Sequence, residues 1–223
     1  MPIPILYVLA GPNGVGKTTS TFDLIPSGIP VINSDEIAAA VRSAGRVNSN
    51  TQEYSNREGI RLMNEYLEKY SSFAVETNLA DLETWKFLLE TQKIGYQINL
   101  IYLSTDKLDV LNERIVQRTL AGGHYIRPDI VKERYINSLN LLRHYFIKLD
   151  SIQLYDNSKT LVRVADIKHG KGIELIRPLP HWAEHYLGEH LNETSKPEIK
   201  QSMESIEDVR KTYRDNQNKS QDL

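Results

Sequence analysis

Three glycines, a lysine and two threonines fall together in Gly11-Pro12-Asn13-Gly14-Val15-Gly16-Lys17-Thr18-Thr19, which fits the pattern GxxxxGK[ST] at every fixed position. Each residue type has a chemical reason. Glycine lets successive backbone N–H groups converge on phosphate oxygens with no Cβ in the way. A helix opening near Lys17 adds its unpaired N–H groups and the positive end of its dipole. Lys17 can then reach the β- and γ-phosphates while the Thr18 hydroxyl holds Mg²⁺, so the whole run from Gly11 to Thr19 is expected to bind a nucleoside triphosphate with Mg²⁺. An ordinary glycine-rich turn has no use for Lys-Thr at those two offsets.

Two carboxylates stand where such a loop would need them. Asp35, in Asn33-Ser34-Asp35-Glu36, follows a short apolar run and opens a helical pattern. There it can accept a substrate hydroxyl proton as the oxygen attacks phosphorus. The bland alternative is a helix-dipole role, but Ser34 is expected to cap that helix already. Glu76 ends the apolar run Phe73-Ala74-Val75 and is followed by Thr77-Asn78, which suits orienting a metal-bound water or a substrate hydroxyl. An unpaired buried Glu is costly, so the alternative for Glu76 is an exposed strand end.

Arginines form the third group. Arg114 and Arg118 lie four apart on one helical face, and Arg127 and Arg134 flank the far side of Gly122-Gly123-His124. Arginines on a mobile lid around residues 118–134 can neutralise charge on a transferring phosphoryl group, so Arg118, Arg127 and Arg134 are candidates beside Lys17, Asp35 and Glu76. A solvated basic helix face is the alternative for any one of them.

The elements needed to position these residues are legible in the apolar pattern. Residues 3–10 read as a strand buried on both faces, 18–24 as a helix, 30–33 as a short strand, and 51–70 as a long helix with Ile60, Met63 and Leu67 on one face. A strand at 73–75, a helix at 82–91 with Trp85, a strand at 97–103 and helices at 108–120 and 129–149 follow. Residues 153–155 and 161–165 read as a fifth strand and a short return, and 182–187 as a terminal helix. Alternating strands and helices predict an α/β fold in three layers around a central parallel sheet. In such sheets ligands sit at the carboxyl ends of the strands, where the glycine loop, Asp35 and Glu76 all fall.

The expected organisation is one body over residues 1–188 and a polar tail over 189–223, either a weak amphipathic helix or disordered. With 27 basic and 29 acidic side chains in 223 residues, the net charge of −2 offers no general attraction to nucleic acid. There is no cysteine, which excludes disulfides and thiolate chemistry. The opening apolar run is too short for a signal or spanning helix, so a cytoplasmic location with no membrane contact is expected. His181 and His185 are four apart but lack the Glu of HExxH, and read as surface residues.

The sequence lacks NKxD and LSGGQ elements, which leaves small-molecule kinases among the phosphate-loop proteins. The ordered blocks GPNGVGKTT, NSDEIA, SNREGIRLMNEYL, AVETNL, QRTLAGGHYI, ERYINSLNLL and LYDNS resemble the zeta-toxin-like kinases, over residues 3 to about 160. The resemblance implies a fold like that of nucleotide and shikimate kinases, and transfer of the ATP γ-phosphate to a sugar hydroxyl of UDP-N-acetylglucosamine. It implies Lys17 and Thr18 as phosphate and Mg²⁺ residues, Asp35 as general base, Glu76 as strand-end acid and metal organiser, and Arg118 and Arg134 as lid residues. Tyr155 to Ser158, with Asn157, match the adenine-side loop, and an antitoxin protein becomes a possible partner. Two positions depart from the family pattern: Arg127 stands where a Pro is usual, and Thr77-Asn78 where two threonines are frequent. Other acceptors (a nucleoside, a polynucleotide end, an antibiotic) stay open, as does an ATP-dependent switch read by a partner protein.

Overall fold

The computed structural model describes residues 2–44, 51–120, 123, 125–169 and 172–193. In chain order these form β1 (Ile5–Ala10), α1 (Lys17–Leu24), β2 (Val31–Ile32), α2 (Ser34–Ser43), α3 (Thr51–Glu68), β3 (Phe73–Thr77), α4 (Leu82–Lys93), β4 (Gln97–Ser104), α5 (Leu108–Leu120), α6 (Pro128–Tyr145), β5 (Ser151–Asp156), β6 (Val162–Lys168), β7 (Gly172–Leu175) and α7 (His181–Glu193). The sheet order is β2-β3-β1-β4-β5-β6-β7. From β2 to β5 every pairing is parallel, with Ala10 of β1 beside Thr77 of β3 and Tyr102 of β4. Strand order reverses at β1, so the crevice for a ligand opens above the carboxyl end of that strand.

The sheet departs from the all-parallel expectation at one edge. The fifth strand is followed by two antiparallel ones, β6 on β5 and β7 on β6. Antiparallel neighbours need only a short connection, and β7 is four residues with two exposed apolar side chains around it, too brief to stand out as a period. The terminal helix also runs further than read, past Gly188 to Glu193.

Helix α7 is tied to the sheet by its start. The Asp106 carboxylate accepts the backbone N–H groups of His181 (3.1 Å) and Trp182 (2.6 Å), and the Trp182 indole donates to Asp156 Oδ1 at 3.1 Å. Trp182 is fully buried against Tyr102, and Trp85 stacks on Tyr145 at 4.9 Å, so both tryptophans are core residues.

Two local readings are corrected. Asn33, not Ser34, caps α2: its Oδ1 accepts the N–H of Asp35 at 2.9 Å and of Glu36 at 3.4 Å, while Ser34 is already the first helical residue. Asn is as good a cap as Ser, and the residue that caps is the one whose backbone is still extended, here at φ −133°. On α3 the buried residues are Thr51, Ser55 and Gly59, while Ile60 is 53% exposed and Met63 and Leu67 are half-buried. Close approach decides this face, because a Cβ on Gly59 would lie 3.0 Å from Ser34 Oγ. Small residues let α3 pack on α2, which turns Ile60 toward the cleft.

The glycine loop is held by the protein itself. Gly11 has φ +138°, and a Cβ there would stand 2.1 Å from the Leu103 carbonyl oxygen of β4. Gly11→Ala is therefore expected to destabilise the chain by about 3 kcal/mol or more in urea unfolding, since backbone rather than a flexible side chain must move.

Candidate active site

The loop between β1 and α1 closes around its own lysine. Lys17 is buried, and its Nζ donates to the carbonyl oxygens of Gly11 (2.7 Å) and Pro12 (3.1 Å) and to Asn78 Oδ1 (3.1 Å). Val15 is fully buried and anchors the loop from below. Gly16, at φ +94°, is the last non-helical residue before α1. A Cβ on it would lie 2.9 Å from Asn157 Nδ2, which itself donates to the Val15 carbonyl at 2.8 Å. Asn157, just past β5, therefore braces the loop from the neighbouring strand end, and Arg114 Nη2 donates to its carbonyl at 3.2 Å.

The carboxylates meet the loop from the other side. Thr18 Oγ1 lies 3.0 Å from both oxygens of Glu76, and Asn33 Nδ2 donates to Glu76 Oε2 at 2.8 Å. Glu76 is half-buried, so the exposed-strand-end alternative does not describe its surroundings. Burial raises its pKa, opposed by the Lys17 charge and the Thr18 hydroxyl. Asp35 is exposed in the first turn of α2 and lines the same cleft, close enough for its charge to act on both Lys17 and Glu76.

Lys17 itself is strongly perturbed. Burial lowers its pKa to about 8, with Glu76 and Asp35 pulling upward and Arg118 and Arg134 adding to the depression. The unfolded chain keeps that proton to a higher pH, so through the window between the two values the unfolded state binds more protons and the ligand-free protein gains stability as pH rises. Polyphosphate binding runs the other way, because it needs the protonated lysine. The ATP dissociation constant is expected to rise about tenfold between pH 7 and pH 9, a slope that calorimetry should find missing in Lys17→Met.

The lid arginines do not all reach the loop. Arg134, on α6, donates to Asn13 Oδ1 at 3.1 Å, and with Arg118 it is near enough to act on Lys17. Arg127 lines the cleft but pairs with Asp129 at 2.9 Å on an exposed stretch. Of the Gly122-Gly123-His124 hinge, Gly122 and His124 lie outside the described residues, and Gly123 N–H closes on the Arg118 carbonyl at 2.9 Å. The tail from residue 194 onward also lies outside them.

The cleft that joins these groups has a volume of about 1630 Å³, and its lining residues fall into two groups by the elements that carry them. Phosphate-loop and lid residues form one; α2, α3, the end of β3 and α4 form the other. Thr19 and Asn157 line the nucleotide half, while Pro12 is buried beneath it. Two contacts are not foreseen from sequence: Asn33 caps α2 and holds Glu76, and Asn78, expected to orient a water or substrate hydroxyl, holds Lys17. Asn33 carried a readable signal, an Asn directly before Ser-Asp-Glu at a helix start. Asn78 carried none beyond following Glu76.

The donor set suits a hard cation, since Thr18 Oγ1 and the Glu76 carboxylate are oxygen donors side by side and the remaining positions can be filled by phosphate oxygens and water. Among the described residues no group of three or more His, Cys, Asp or Glu gathers to hold a metal without such help, and the exposed rings of His181 and His185 stack on each other, with His185 edge-on to Tyr186.

Comparison with known proteins bears on the family and the fold. A sequence profile described as Zeta toxin matches residues 2–177. The chain belongs to the Zeta toxin family. Among solved structures it is similar to the AvrRxo1-ORF1:-ORF2 complex with ATP, at TM-score 0.66 and 16% identity, covering 90% of this chain and 66% of that one. It is also similar to a structure from the PezAT chromosomal toxin-antitoxin system of Streptococcus pneumoniae, at TM-score 0.54 and 18% identity, covering 73% and 72%. These likenesses concern the fold, and this chain spans slightly under two thirds of the first protein. An uncharacterized protein of Haemophilus influenzae is 29% identical over 126 residues, which is 56% of this chain and 88% of that one. Family membership and fold likeness agree with the α/β sheet and the glycine loop at the end of β1. Among its described residues no helix is long and apolar enough to cross a membrane.

Proposed function

We propose that this Zeta toxin family protein transfers the γ-phosphate of ATP to a hydroxyl of a small molecule, a nucleotide sugar such as UDP-N-acetylglucosamine. The observation that carries the reading is the junction of Thr18, Glu76 and Lys17 at the end of β1, with Asp35 across the cleft. Asp35 accepts the proton of the acceptor hydroxyl while that oxygen forms a bond to the γ-phosphorus. The bond from the γ-phosphorus to the β,γ-bridging oxygen breaks, and ADP leaves with that electron pair. Lys17 leaves its contacts with Gly11, Pro12 and Asn78 for the phosphates, and Arg118 and Arg134 offset charge on the transferring group. Arg127, freed from Asp129, would join them when the lid closes. Thr18 and Glu76 would hold Mg²⁺, which when bound supplies charge neutralisation at the β- and γ-phosphates.

The reading includes a cytoplasmic location, a body that runs to the end of α7 at Glu193 with a separate tail after it, and an antitoxin protein as partner. The partner is suggested by the toxin-antitoxin system to which one structural neighbour belongs. Incubation with γ-labelled ATP, Mg²⁺ and UDP-N-acetylglucosamine tests the chemistry: label is expected in the sugar nucleotide. ATP binding with no label transferred would exclude that acceptor.

A further inference from the structure

Among the described residues, the cations that line the cleft beside the phosphate loop are Lys17, Arg114 of α5 and the lid arginines Arg118, Arg127 and Arg134. The other half is acidic: Asp35, Glu76, Asp81 and Glu83 line it, and among the described residues Arg42, in the last turn of α2, is its one cation. Arg42 is half-buried, and no carboxylate among the described residues lies within 4 Å of its guanidinium. Several other arginines of the described chain are paired with a carboxylate: Arg57, Arg61, Arg127, Arg143 and Arg163.

We propose that Arg42 reads the charge of the acceptor, pairing with a phosphate carried by the molecule whose hydroxyl is phosphorylated. This rests on the phosphoryl-transfer reading above. A phosphate entering this half meets four carboxylates, and a single guanidinium with a free fork of N–H donors matches two phosphate oxygens at once. An uncharged acceptor gains nothing from that fork. A plain helix-end role for Arg42, complementing the α2 dipole, would affect stability and leave acceptor choice untouched. Arg42 is thus a specificity-determining residue, separate from the groups that act on the γ-phosphate.

The test compares UDP-N-acetylglucosamine with N-acetylglucosamine, which carries the same sugar hydroxyls without a diphosphate, in the full-length chain at saturating ATP. The natural chain is expected to favour the sugar nucleotide, and Arg42→Gln to reduce that preference about tenfold through KM for the sugar nucleotide, with Arg42→Lys intermediate. Equal loss on both acceptors, or an unchanged preference with a lowered melting temperature, overturns the proposal. If neither acceptor is phosphorylated, the sugar-nucleotide reading falls, and Arg42 is judged by calorimetry of UDP binding with the nucleotide half filled by a non-hydrolysable ATP analogue. Tenfold weaker UDP binding in Arg42→Gln would then support the role. Absent or unchanged UDP binding would overturn it.

Discussion

Asp35→Asn is expected to lower kcat for phosphoryl transfer by roughly a hundred- to ten-thousandfold, while the ATP dissociation constant stays within about twofold. The amide keeps the size of the side chain and removes only its capacity to take a proton. Helix α2 should survive the change, because its cap is Asn33 and the loss of one first-turn carboxylate costs about 0.3–1 kcal/mol. Removing the Asp35 charge also leaves Glu76 hydrogen-bonded to Thr18 and Asn33. Single-turnover kinetics with labelled ATP separates the outcomes, and an unchanged chemical rate would move the general base elsewhere in the cleft. The family reading and the helix-dipole alternative differ here by orders of magnitude.

Lys17→Met is expected to cut kcat/KM for ATP by roughly a hundred- to thousandfold and to weaken ATP binding as well. The lysine ammonium is buried with carbonyls on one side and Glu76 near it, so no other cation can take its place without moving the loop. Stability should change little. The substitution ends the burial of a cation but gives up three hydrogen bonds, and these opposing terms are of similar size. Val15 and Asn157 continue to brace the loop. A melting temperature within a few degrees of the natural chain, combined with the loss of activity, would place the effect in the chemistry. A large drop in melting temperature would show Lys17 to be chiefly a structural post.

Local pattern determined a good deal of this protein. The glycine loop was legible because a phosphate cradle needs its residues within nine consecutive positions, and the strand before it and helix after it each have their own period. The parallel core of the sheet followed from crossover lengths, and Glu76 from an apolar run that ends in an acid. What the pattern could not supply was which residues far apart in the chain meet. Asn78 reaches Lys17 across 61 residues, Asn33 reaches Glu76 across 43, Arg134 reaches Asn13 across 121 and Asn157 reaches Val15 across 142. The face of α3 was misread for the same reason, since its burial depends on how closely α2 approaches and not on its own apolar period. A side chain's chemical type and its place on a strand or helix are properties of a few neighbouring residues. Its partner is chosen only when the strands align and the helices pack, which is why tertiary structure alone joined the carboxylates, the lysine and the three lid arginines into one cleft and left Arg42 with no acidic partner among the described residues.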